Sequence, residues 1–198
     1  MSELGARMRG LRSQKGWTLE RAATATGLAR SSLSKIENGQ MSPTYDALLK
    51  LAQGFAVDIS ALFEPHAPDG TGTAGSGRRS ITRAGQGQAL ATPAYQHRLL
   101  CNDLSNKLMT PFRSTVTARA FADFADWDRH PGEELLYVLQ GEVELFTEFY
   151  EPERLGLGDC AYLDSRMGHR VISVSAENAE LLWVSTAHPH TRPAHAVL

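Results

Sequence analysis

Residues 64–80, "EPHAPDGTGTAGSGRRS", divide the chain and limit what it can fold into. The stretch is crowded with Gly, Pro, Ser and Thr and has no apolar period. It cannot bury enough surface to offset its own ordering entropy, so it reads as a flexible linker. Before it, apolar residues recur at helical spacing; after it, strand-like runs rich in β-branched and aromatic residues take over. A chain of 198 residues is then expected to form a helical head at 1–63 and a β-rich body at 81–187, with a tail at 188–198. "HPHTRPAH" in the tail looks like a metal-rich tract, but it is short and broken by Pro, and the expectation is a frayed end.

Charge is distributed unevenly. Residues 1–64 hold 8 Lys and Arg against 6 Asp and Glu, whereas residues 81–198 hold 10 against 15. A basic head on an acidic body suits a head that meets a polyanion. No apolar run approaches the roughly eighteen residues of a membrane span. The N-terminal stretch carries basic residues without the apolar segment of a secretory signal. Cys101 and Cys160 lie far apart and form no CxxC, so a reducing cytoplasm is the expected location. Each Cys is expected to be a small buried apolar residue.

In the head, Leu4, Met8 and Leu11 mark a first helix that Gly16 ends. Thr18 can cap a second helix, running to about Thr26, through its hydroxyl. Gly27 makes a tight turn. A third helix follows over about Arg30–Asn38, with Leu33 and Ile36 turned inward. A fourth carries Leu48, Leu51, Ala52 and Phe55, and a short fifth is expected near Ile59. Two short helices joined through a Gly, the first narrowed at Ala23, are what a DNA-reading helix-turn-helix requires. "LERAATATGLARSSLSKIENGQMSPTYDALLKLA" resembles the helix-turn-helix of the phage-repressor-like (Xre) family, over about the first 63 residues. The resemblance implies a five-helix, lambda-repressor-like domain. Arg30, Ser31, Ser32 and Ser34, with Lys35 one turn on, match the positions that face bases and phosphates. Leu19 stands where the family often has Gln, which makes Thr18 the candidate for that phosphate contact.

In the body, "DRHPGEELLYVLQG" places Asp128, His130 and Glu134 ahead of a strand-like run, and "GDCAYLDSRMGHRVISVS" brings His169. Two His and a carboxylate, drawn from a hairpin and a separate strand, form a ligand set known for divalent metals. The spacing resembles the cupin family over roughly residues 80–186. Its first motif is matched by Asp128, His130, Glu134 and Gly141, with Asp in place of the first His. Its second is matched by Gly158, Asp159 and His169, with Asp164 and Arg166 replacing the usual Pro and Gly. The resemblance implies an all-β double-stranded β-helix (jelly roll), and so an α + β two-domain chain. Two readings of the site stand side by side. His130, Glu134 and His169, with Asp128 as a fourth candidate, hold a divalent transition metal; or these groups line a metal-free pocket. Arg166 and Arg170 are near enough in sequence to pair with Asp128 or Glu133, to receive an anionic ligand, or to be rim charges.

Two functions fit. One is a transcriptional regulator, a homodimer whose heads bind an operator in double-stranded DNA and whose cupin binds a small-molecule effector; no residue is catalytic under it. The other is a mononuclear non-haem iron enzyme, since a phosphonate epoxidase resembles the same arrangement of helix-turn-helix-like head, cupin and His-x3-Glu…His ligands. An enzyme has no use for a reading helix, and Arg30 and Lys35 stand where bases would lie. The regulator is the favoured reading.

Overall fold

The computed structural model describes residues 3–57, 59–63, 78–104 and 107–186. Most of the expected linker and the tail, including its histidines, lie outside the described residues.

Four α-helices build the head: α1 (Glu3–Gln14), α2 (Leu19–Thr26), α3 (Arg30–Glu37) and α4 (Tyr45–Phe55). Their limits follow from local chemistry. Thr18 and Thr44 sit in extended backbone, and their hydroxyls accept the N–H groups of Arg21 at 3.1 Å and Ala47 at 3.2 Å. Each such cap is worth about 1 kcal/mol. Gly27 ends α2 at φ 67°, in the left-handed region that a residue without Cβ enters at little cost. The apolar faces meet in a core of Met8, Leu11, Leu33, Ile36, Leu48, Leu51, Phe55 and Leu62. Each large side chain buried there contributes about 1.5–3 kcal/mol. The expected fifth helix is a 3-10 turn over Ile59–Leu62. Four residues are too few to repay the nucleation of an α-helix, so the tighter turn wins.

The body is all-β. Its strands are β1 (Gln88–Ala91), β2 (Tyr95–Leu99), β3 (Thr110–Val116), β4 (Glu133–Gln140), β5 (Val143–Thr147), β6 (Tyr150–Leu155), β7 (Cys160–Asp164), β8 (His169–Ser173) and β9 (Ala179–Ser185). They form a six-stranded sheet in the order β1-β2-β3-β9-β4-β7 and a three-stranded sheet in the order β6-β5-β8. The pairings are antiparallel. Alternation along β3 and β9 turns Phe112, Ser114, Leu181 and Trp183 inward. On β4 the same alternation buries Glu134, Leu136 and Val138. A carboxylate thus stands in an interior row that is otherwise mainly apolar. Both cysteines are free; Cys101 is half-buried, and Cys160 is exposed on the edge strand β7 rather than in the core.

Candidate functional site

The head presents one face of α3 outward. Leu33 and Ile36 are 1 % exposed and pin the helix, which leaves Arg30, Ser31 and Lys35 on the surface with Ser32 and Ser34 half-buried beside them. The Arg30 side chain is 68 % exposed and lies 3.7 Å from Glu20, an exposed pair of little energetic weight. Thr18 uses its oxygen as a cap, so its hydroxyl proton remains to donate. From behind, α3 is locked by Glu37. That carboxylate is buried and accepts from Arg12 at 2.7 and 3.0 Å, with Arg9 at 3.5 Å. Arg9 also donates to Asn38 at 2.8 Å.

In the barrel, His130, Glu134 and His169 converge, with their ligand atoms within 4.8 Å of one another. Glu134 is the second residue of β4, and His169 is the first of β8. His130 is placed by the loop ahead of β4: its N–H donates to Ser165 at 2.9 Å, and the Ser165 N–H donates to Gly132 at 3.0 Å. Gly132 is required here, because at φ 116° a Cβ would come within 1.8 Å of the Thr186 carbonyl. The His130 Nε2 lies 3.0 Å from Glu134 Oε1, and the His169 Nε2 lies 3.2 Å from Oε2.

The other ring nitrogens decide what these contacts are. His130 Nδ1 faces the Pro131 carbonyl at 3.3 Å, and His169 Nδ1 faces the Met167 carbonyl at 2.9 Å. A carbonyl only accepts, so each Nδ1 carries a proton, and in a neutral ring the Nε2 that faces Glu134 is then bare. Bare nitrogens and carboxylate oxygens repel one another unless a cation or a proton lies among them. Consistently, His130 Nε2 and both Glu134 oxygens are buried without a hydrogen bond of proper geometry. The donor set of two imidazoles and one carboxylate, with both Nδ1 atoms anchored, fits a divalent transition metal. Without a metal a proton takes the cation's place, and the shifts are those of an imidazolium–carboxylate contact. Burial pushes the Glu134 carboxyl up, but the two histidines outweigh it and hold it at about 2. Burial pulls the His169 imidazole down, and Glu134 outweighs this to leave it raised.

Around this centre lies an aromatic wall. His97 on β2 is buried, its Nδ1 2.8 Å from the Ser114 hydroxyl, and burial lowers its pKa to about 4. Tyr95, Phe112 and Trp183 surround its ring. His97 Nε2, Trp183 Nε1 and the Ser185 hydroxyl are buried without a hydrogen-bond partner.

Residues 3–62 match the family model of a helix-turn-helix domain, and residues 122–185 match that of a cupin domain. The chain is similar to the HTH-type transcriptional regulator PuuR of Escherichia coli, at 29% identity over 94% of this chain and 95% of that one. The chain thus joins a helix-turn-helix domain to a C-terminal cupin domain. The head is also 40% identical to the HTH-type transcriptional regulator SutR of E. coli, over 31% of this chain and 35% of SutR. A solved HTH_3 family transcriptional regulator from Vibrio cholerae has the same fold, with a TM-score of 0.61 at 21% identity, over 95% of this chain and 96% of that one.

The cupin brings His130, Glu134 and His169 together and leaves two sequence candidates outside. Asp128 is engaged by Arg170 and adjoins His169 through the backbone, whose N–H donates to Asp128 O at 3.1 Å. Burial first, with help from Asp46, keeps its carboxyl raised in spite of Arg170. Arg166 is 75 % exposed and clamps Asp164 on the far side of β7. There it borders a surface cleft of about 670 Å³ that contains none of the three converging residues. Sequence reasoning missed His97, Tyr45 and the Glu37 lock. For His97, the one available signal was the alternation of Tyr95, His97 and Leu99 along β2.

Proposed function

We propose that the chain is a transcriptional regulator that binds operator DNA through the outer face of α3, and that its cupin holds a divalent transition metal on His130, Glu134 and His169, against which a small polar effector rests. The observation that carries the DNA reading is the division of labour on α3. Its back is locked by Leu33, Ile36 and Glu37, while Arg30, Ser31 and Lys35 face solvent. Arg can fork onto guanine, and Lys and Ser reach bases or phosphates. One such head covers half a site, so the working unit is a homodimer in the cytoplasm that reads two half-sites about one helical turn apart. In the cupin, Pro131 and Met167 aim the two Nε2 atoms, and Glu134 supplies the compensating charge. When bound, the metal gives a Lewis-acidic anchor for an effector oxygen or nitrogen.

A fluorescence-anisotropy titration against operator DNA tests the head. Arg30→Ala is expected to cost about 1–3 kcal/mol and to relax specificity at one base pair. Unchanged affinity and specificity in a combined Arg30→Ala and Lys35→Ala variant would show the reading helix to be misassigned. The cupin is tested by metal analysis of protein purified from its own source. The wild type is expected to carry one divalent ion per chain and the His130→Ala, His169→Ala double variant none, with operator binding retained without effector. Iron- and oxygen-dependent turnover of a small molecule by the wild type, lost in the double variant, would favour the enzyme reading instead.

A further inference from the structure

The cupin centre is sealed. The side chains of His130, Glu134 and His169 are 2 %, 0 % and 3 % exposed. An effector reaches them only if something moves, and one group over them belongs to the head. Tyr45, the first residue of α4, places its ring 5.7 Å from His130, 5.0 Å from Phe112 and 6.1 Å from His97, edge-on to the first two. We propose that Tyr45 is the stopper of the cupin site: it closes the site only while the head is docked, so that an occupant beside the three ligands and the docked head exclude each other. This rests on the reading of that site as the effector site.

Two features make the stopper removable and its removal consequential. The seam is weak. Among the described residues no helix of the head packs at length along a barrel strand. The head is stiff. Its α4 buries Leu48, Leu49, Leu51, Ala52 and Phe55, and Gly54 is pressed so closely on α2 that a Cβ would meet Thr26 Cγ2 at 2.6 Å and the Ala25 carbonyl at 2.7 Å. A displacement of Tyr45 therefore carries α2 and the reading face of α3 with it. Differential binding of an effector to docked and undocked heads is what coupling to DNA requires.

The test uses the full chain as wild type, Tyr45→Phe, which keeps the ring, and Tyr45→Ala, with Tyr45→Gln as a second variant should Ala loosen the helix. Hydrogen exchange is followed without metal at residues 129–135 and 95–99. Ring removal is expected to speed exchange on the order of tenfold at these segments, and Tyr45→Phe, which keeps the ring, to speed it much less. Azide is then titrated into each Co2+-loaded protein and read by visible absorption. Its apparent affinity scales with the open fraction, so the ring-deleted variants are expected to bind it about tenfold more tightly. Unchanged exchange, or equal azide affinity in wild type and ring-deleted protein, overturns the stopper. If Co2+ binds none of the proteins, the metal reading falls and the exchange measurement still decides the role of Tyr45.

Discussion

Two glutamates lie almost fully inside the molecule, one in each domain: Glu37 at 3 % exposure in the head and Glu134 at 1 % in the barrel. Their surroundings differ in one respect. Glu37 is met by guanidinium N–H groups of Arg12 and Arg9, so every proton points at a lone pair. Glu134 is met by two imidazole nitrogens whose own protons are spent on backbone carbonyls. A buried charge with its donors in place holds a fold together, here the back of the reading helix. A buried charge facing bare acceptors is a site prepared for something that arrives later. Burial alone does not separate the two; the direction of the protons does.

The comparison is sharpest where the head loses its lock. Glu37→Ala is expected to destabilise the head by about 3 kcal/mol, the low end for breaking a buried ion pair, because Arg12 stays partly hydrated. Urea unfolding would show it, and a loss under 1 kcal/mol would remove the distinction drawn above. A smaller effect is expected from the barrel's unmet polar groups as pH falls. Burial depresses His97 from 6.5 to about 4, so the unfolded chain takes up the proton first. The contribution of His97 to barrel stability is therefore complete above pH 6.5 and is lost as pH falls toward 4, by about 2 kcal/mol at pH 5. Melting temperatures across that window should fall for the wild type and stay flatter for His97→Gln. The smallest change is expected where Glu134 is neutralised. Without metal, Glu134→Gln should alter unfolding free energy by less than about 1 kcal/mol, since two neutral histidines are left rather than a stranded charge. The same variant should fail to retain a divalent ion in equilibrium dialysis.

The head was legible because each of its decisions is local. The Thr18 cap, the Gly27 turn and the Leu33 and Ile36 pins depend on neighbours a few residues away. The expected fifth helix came out as a turn because apolar spacing near Ile59 does not state how many residues are available to wind. In the barrel, His130, Glu134 and His169 were legible through motif spacing, and the Asp128–Arg170 pair was among the alternatives read there. His97 was passed over, because no spacing in the sequence ties β2 to the loop before β4; only the folded chain brings His97 and His130 to the same Tyr45 ring. Tyr45 was invisible for a stronger reason. It belongs by sequence to a helix of the head, and its neighbours of interest belong to the other domain. Arg166 stands beside His169 in the chain, yet the turn after β7 sends it to the opposite side.

The strand order also sets a timetable for the making of this protein. β9 is the last strand in chain order, yet it lies between β3 and β4, from Thr110↔Ser185 on one side to Glu134↔Ser185 on the other. The six-stranded sheet cannot be completed on a ribosome until β9 has been synthesised. The head closes on contacts within residues 3–63 and can fold long before that, since domains fold as units and nearby contacts form first. A nascent chain thus carries a finished reading helix ahead of an unfinished barrel. Truncation anywhere before β9 would release a folded helical head joined to a barrel that cannot close.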